Sequence, residues 1–263
     1  MSRRVVFFAV VIAMVALPAG GGAQQGSVKD PQAVAVLQRA VAALGANAGN
    51  VSTAVAVGTY TGYLVGGRTV SYGIKLIAQT PDRIRWETTK ADGVVTIAIN
   101  GNTGWMQAGG QIKLFSLSDM AGRGFEKFPL GVLAAWIADP NINLRYAGRV
   151  SGSSNDFDQL RISKGFSSLN LSAQTKQLLE LDTQADWYFD VASGLPAWVR
   201  FYQDPAKYGQ KLPQDLAFSD FRDIGGVLMP MTVTNYIRQQ MTSVVRFQNV
   251  QLNVAVSINE FKR

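Results

Sequence analysis

The chain has 263 residues, 47% hydrophobic and 16% charged, with 26 Gly, 9 Pro, no Cys and no His. That is the composition of a globular protein, neither disordered nor collagenous. The lack of His excludes His-based triads and His metal ligands. The lack of Cys excludes disulfides, thiol nucleophiles, Cys-held metal sites and lipoprotein acylation. Catalysis would have to rest on carboxylates, Lys, Tyr or hydroxyls; no motif of those kinds stands out, and no cofactor is implied.

Residues 1–23 read as a secretory signal peptide. Arg3 and Arg4 form a positive start, Val5 to Leu17 is an unbroken apolar run, and Pro18-Ala19-Gly20-Gly21-Gly22-Ala23 offers small residues for cleavage after Ala23. The run is too short to span a bilayer. Arg3-Arg4 is similar to a twin-arginine signal, but Val6 stands where that motif prefers Phe, so the export route stays open. The expected product is a soluble periplasmic protein with one domain over residues 24–263. Two of the 25 basic residues and none of the 18 acidic ones lie in the leader, so the net charge falls from +7 to +5. The remaining cations are scattered singly, which argues against a nucleic-acid partner.

A helix opens the domain. Asp30 suits an N-cap, Pro31 the first helical position and Gly45 a C-terminal cap, with Ala33, Leu37, Ala40 and Leu44 on one face. From Ser52 onward the pattern has period two. Val55–Val65, Thr69–Ala78, Arg83–Lys90 and Val94–Asn100 are successive strands, and Thr103–Gln107 with Gln111–Phe115 continues them around Gly109-Gly110. Ile84, Trp86 and Thr88 alternate with Arg83, Arg85 and Glu87, as in an antiparallel meander with one covered face.

The period breaks between Leu117 and Ala138, where Pro129–Ile137 reads as a short buried helix. Leu144–Val150 and Phe157–Ser163 resume the meander. Residues 165–184 are ambiguous between strand and helix. Trp187, Phe189 and Val191 mark another strand, answered by Trp198–Tyr202. Ala217–Arg222, Leu228–Ile237 and Thr242–Val254 follow, the last changing phase so as to predict a one-residue β-bulge near Asn249. The count is about ten or eleven strands, and a sheet that long curls or closes.

The order of motifs resembles the LolA-like superfamily of periplasmic lipoprotein carriers and outer-membrane lipoprotein-sorting proteins. The resemblance rests on the N-terminal helix, Thr80-Pro81-Asp82-Arg83-Ile84-Arg85-Trp86, Asn100-Gly101-Asn102-Thr103-Gly104-Trp105, Phe128-Pro129-Leu130, and Phe189-Asp190-Val191-Ala192-Ser193-Gly194-Leu195-Pro196. The stretch from Phe218 to Pro230 and the ending Leu252-Asn253-Val254 through Phe261 extend it over roughly residues 31–263. It implies a mainly β fold: a curved antiparallel half-barrel with an N-terminal helix and short lid helices around an apolar cavity. It also implies lipid or lipoprotein acyl chains as ligands and an envelope membrane docking protein as partner. The family's carrier has an Arg just before the Pro of this turn, as a latch for its lid; this chain has Thr80.

The residues themselves agree that a curled sheet of this size encloses more apolar surface than one helix fills. An elongated pocket is expected, lined from among Trp86, Ile97, Trp105, Leu133, Trp136, Phe189 and Phe247. These aromatics and Trp187 in inward phase either line that space or fill a core. A lid is expected over residues 118–138, hinged at Gly122 and Gly124 and closed by burying Leu130, Leu133, Trp136 and Ile137. The carboxylates Asp220 with Asp223, and Asp156 with Asp158, read as solvated or turn-capping rather than catalytic. The expected function is therefore non-catalytic carriage of acyl chains. The alternatives are an envelope sensor or accessory protein for a lipidated partner, and a carboxylate-based polysaccharide enzyme.

Overall fold

The computed structural model describes residues 27–101, 103–115, 132–166, 169–203 and 212–263. Residues 1–23 and the segment 118–131, with both expected hinges and Leu130, lie outside them. None of the described helices is long and apolar enough to cross a membrane.

Helix α1 spans Pro31–Leu44 as the sequence signals require. The Asp30 carboxylate accepts from the Gln32 N–H, Pro31 occupies the first turn, and Gly45 terminates the helix at φ 118°. Gly45 is needed for space as well, since a Cβ there would stand 2.2 Å from the Gly226 carbonyl oxygen. Ala33, Val36, Leu37, Ala40 and Leu44 are buried, and the small residues among them let the helix lie close against the sheet. Two further helices among the described residues are α2 (Val132–Ala138) and α3 (Ala173–Thr183). The latter settles the ambiguous stretch, because Ser172 caps it by accepting from the Thr175 N–H.

Thirteen antiparallel strands follow α1 in chain order. They are β1 (Thr53–Tyr63), β2 (Thr69–Gln79), β3 (Arg83–Lys90), β4 (Gly93–Asn100), β5 (Thr103–Ala108), β6 (Gln111–Leu114), β7 (Ile142–Ser151), β8 (Asp156–Lys164), β9 (Ala185–Asp190), β10 (Pro196–Gln203), β11 (Leu212–Asp223), β12 (Leu228–Ile237) and β13 (Gln240–Leu252). They form one sheet in the order β6-β5-β4-β3-β2-β1-β13-β12-β11-β10-β9-β8-β7, with β6 and β7 as unjoined edges, so the sheet is open and not a closed barrel. Thirteen corrects the count of ten or eleven. Every strand falls on a stretch already marked in the sequence, and the tally rises because short elements such as the four-residue edge strand β6 are strands of their own.

The bulge in β13 is where the phase change put it. Val57 pairs with Asn249 and Gly58 with Phe247, leaving Gln248 as the extra residue. Gly58 is the only residue type that fits opposite it, because a Cβ would stand 2.1 Å from the Arg246 carbonyl oxygen. The core lies on the concave face, where α1 and α2 meet Leu144, Leu160, Trp187, Phe189, Phe218 and Met229. The outer face of the β8–β11 wing carries cross-strand pairs, Arg161 with Asp186 at 2.9 Å and Arg200 with Asp215 at 2.7 Å.

Candidate functional site

Because the strands are all antiparallel, the β1–β2, β3–β4, β5–β6 and β12–β13 turns lie at one end of the sheet. The inner face near that end is not filled by the described helices. It holds a cavity of about 350 Å³, within the range of roughly 300–1,000 Å³ usual for small-ligand sites.

One wall comes from the first four strands. Tyr60 and Tyr72 are cross-strand partners whose rings stack at 6.1 Å. Beside them on β3 stand Trp86, Thr88 and Lys90, with Val95 of β4 opposite Thr88. The Trp86 indole N–H donates to the Thr88 hydroxyl at 3.0 Å, and the Lys90 ammonium lies 5.5 Å from the centre of the Tyr72 ring.

The facing wall comes from β11, β12 and β13. Leu216, Val233 and Val245 form a buried apolar floor. Nearer the strand ends are Gln214, Asn235 and Ser243; the Gln214 amide donates to Asn235 at 2.7 Å, and Asn235 donates to the Thr242 hydroxyl at 2.8 Å. In a flat sheet β4 and β11 would stand about 29 Å apart, at roughly 4.8 Å per strand. Only curling brings them to one cavity. The site is therefore graded, from an aliphatic floor to a mouth of hydroxyls, amides and one cation. Among the described residues its lining includes no carboxylate, and Lys90 is the one charged group. Its described lining residues place no acid beside a base.

Of the seven residues expected to line a pocket, Trp86 lines this one. Ile97 faces inward as the cross-strand partner of Trp86. Phe189, Phe247 and Leu133 also face the concave side but are fully packed in the core. Trp136, half-buried on α2, packs edge-on against Trp187 at 5.4 Å. Trp105 is on the other side of the sheet. Its partner in β4 is Ala98, which is also the partner of Arg85, and the Arg85 guanidinium lies 6.0 Å from the Trp105 ring centre. The indole N–H donates to the Phe261 carbonyl at 3.3 Å under a short 3₁₀ turn, Ile258–Phe261. Trp105 thus anchors the C-terminal segment and does not face the cavity.

Thr80 donates its hydroxyl to the Ser52 carbonyl at 3.1 Å, just before β1. A cation does reach α2 from elsewhere: the Lys29 ammonium donates to the Trp136 carbonyl at 2.6 Å. Burial pulls the Lys29 pKa below its ordinary value, against the opposing charge of Asp139. Neither Leu133 nor Trp136 lines the cavity, so α2 covers the packed part of the concave face.

The carboxylates are partly as expected. Asp220 pairs with Arg222 at 2.8 Å on the surface, and Asp223 accepts from the Gly226 N–H in the turn after β11. Asp158 is a correction. It is 2% exposed on the inner face, where it accepts from Arg39 of α1, from the Tyr146 hydroxyl at 3.0 Å and from Arg149 at 3.4 Å. Burial opposes its ionisation. Hydrogen bonds from Arg39 and Tyr146, together with the Arg39 and Arg149 charges, outweigh that and hold the carboxyl below its ordinary value.

A carboxyl whose pKa is lowered by folding stabilises the fold above its unfolded value, about 3.9, and ceases to do so as the pH falls through the folded value. The melting temperature of the native chain should therefore exceed that of Asp158→Asn by a constant margin between about pH 5 and 7. The margin should shrink below about pH 4, a comparison made by thermal circular dichroism.

No protein-family model and no curated protein matches this sequence. Solved structures do. A LolA superfamily protein from Nitrosomonas europaea superposes with TM-score 0.57 at 14% identity, covering 88% of this chain and 97% of that one. A domain named for outer membrane lipoprotein sorting, from Vibrio parahaemolyticus, gives 0.56 at 11% identity over 87% and 95%. A DUF1329 family protein from Desulfovibrio piger gives 0.55 at 15% identity over 89% and 98%. With an open, curled sheet of thirteen antiparallel strands and a helix across its concave face, this chain has a LolA-like fold.

Proposed function

We propose that the protein is an exported, non-catalytic carrier that holds a lipid or lipoprotein acyl chain in the cavity between β1–β4 and β11–β13. The observation that carries this reading is the graded cavity itself: Leu216, Val233 and Val245 at its floor, polar groups and Lys90 at its mouth. An acyl tail lies on the floor and across Trp86, and the polar end of the ligand stays near Lys90. The fold supports the reading, since the Vibrio parahaemolyticus domain of like architecture is named for lipoprotein sorting. Residues 1–23 act as the cleaved leader that delivers the chain to the periplasm, and an envelope membrane protein receives the loaded carrier.

The test is titration of the purified protein with a fluorescent fatty acid. Saturable binding is expected, with energy transfer from the tryptophans. Trp86→Ala should weaken it roughly fivefold, the effect of losing about 1 kcal/mol of apolar contact from a half-buried side chain. Leu133→Ala, on the packed side, should leave the affinity unchanged in the folded fraction. Absence of saturable binding, or equal loss in both variants, contradicts the assignment of the cavity.

A further inference from the structure

Four described hairpin turns meet at the cavity end of the sheet, and they are unlike the described turns at the other end. Val65, at the tip of the β1–β2 turn, is 95% exposed, and Leu64 beside it is exposed as well. Val94 next to the β3–β4 turn, Ile112 next to the β5–β6 turn and Met241 next to the β12–β13 turn are also exposed. At the opposite end the described turns include Pro81-Asp82, Ser153-Ser154-Asn155, Ala192-Ser193-Gly194 and Gly225-Gly226, with Val150 the one exposed large apolar side chain beside them. Charge is distributed in the same way. Arg68, Lys90, Lys113 and Arg238 stand at or beside the four turns, against Asp92 alone, and none of these cations is in an ion pair among the described residues.

We propose that this end of the sheet docks on an anionic lipid bilayer, with the hairpin tips entering the headgroup region and the four cations on the lipid phosphates. The arrangement fits a bilayer better than a protein. Isolated apolar tips with flanking cations match an interface that is apolar below and anionic above. A protein partner would be met by a continuous apolar patch with paired polar groups at its rim. Here the exposed apolar residues stand one or two to a turn, spaced along a curved edge. Docking also presents the mouth of the cavity, with Lys90 at its rim, directly to the membrane surface. The inference concerns the rim and does not depend on what the cavity holds.

The test uses the chain purified from the periplasm, with its mass measured so that residues 1–23 are accounted for. Vesicles of phosphatidylglycerol and of phosphatidylcholine are floated with it on a density gradient. Flotation with phosphatidylglycerol is expected and with phosphatidylcholine is not, and it should fall as salt is raised. The triple variant Arg68→Gln, Lys113→Gln, Arg238→Gln should bind about 100-fold more weakly, at about fivefold per cation. Val65→Asp should weaken flotation by at least about fivefold, through the lost tip and the added charge. Both variants should keep native circular dichroism and unaltered fatty-acid binding, so failure to dock is read separately from failure to carry. Equal flotation with both lipids, or native flotation by Val65→Asp and the triple variant, overturns the proposal. So does absence of flotation together with crosslinking through these tips to an envelope protein, which assigns the rim to a protein partner.

Discussion

Val245→Trp is expected to abolish binding of a fluorescent fatty acid, weakening it at least about 30-fold, while the sheet remains folded. Val245 lies on the cavity floor, 7% exposed, opposite Tyr60 in β1 and Val233 in β12. An indole at that position points into the space an acyl tail needs. Because the cavity is already there to receive it, the stability cost should stay at the low end of the 1–3 kcal/mol typical of overpacking. Circular dichroism and a thermal melt verify the fold, and the titration reads the binding. Native affinity in a folded Val245→Trp protein would place the ligand elsewhere.

Trp187→Ala should have the opposite profile, a large loss of stability with no specific effect on binding. Trp187 is 1% exposed and is the centre of the aromatic core, stacked on Phe218 at 5.8 Å and Phe189 at 6.2 Å and capped edge-on by Trp136 at 5.4 Å. Truncating a buried Trp costs about 3–5 kcal/mol, which for a chain of this size lowers the melting temperature by roughly 6–20 °C. The same core holds α1 and α2 on the sheet, so their helical signal should be lost first on heating. A loss below about 1 kcal/mol by denaturant titration would mean that the aromatic stack is not the centre of the fold.

Local signals in the sequence were enough for the elements and for some unusual details. Asp30, Pro31 and Gly45 fixed the ends of α1 because capping is decided within a few residues. The phase change from Phe247 to Val250 revealed the bulge because each face of a strand has its own period. Position along a curled sheet is a different matter. Alternation says that Trp86, Phe189 and Phe247 face inward, yet curvature decides which of them meet a helix and which meet open space. Tyr60 and Tyr72 carry a signal of their own: they stand symmetrically about Gly66 and must pair if that hairpin forms.

Trp105 departs from the inward expectation for a reason visible in its own strand. Thr103–Ala108 carries Trp105 and Met106 side by side, so its alternation does not say which face is covered, and register with β4 puts Gly104 and Met106 inward. Asp158 is buried where the sequence suggests a solvated or turn-capping carboxylate. Its burial depends on Arg39, 119 positions away, which no local pattern reports.

The central claim is that the cavity at the hairpin end of the sheet carries an acyl lipid. Native mass spectrometry of the protein purified from its own envelope tests it most directly, with Val245→Trp prepared in parallel. A bound species that organic solvent releases as an acyl lipid is expected on the native chain and is expected to be missing from the folded variant. A native chain that is bare and also fails to take up fatty acid, or a variant that retains the same lipid, would contradict it.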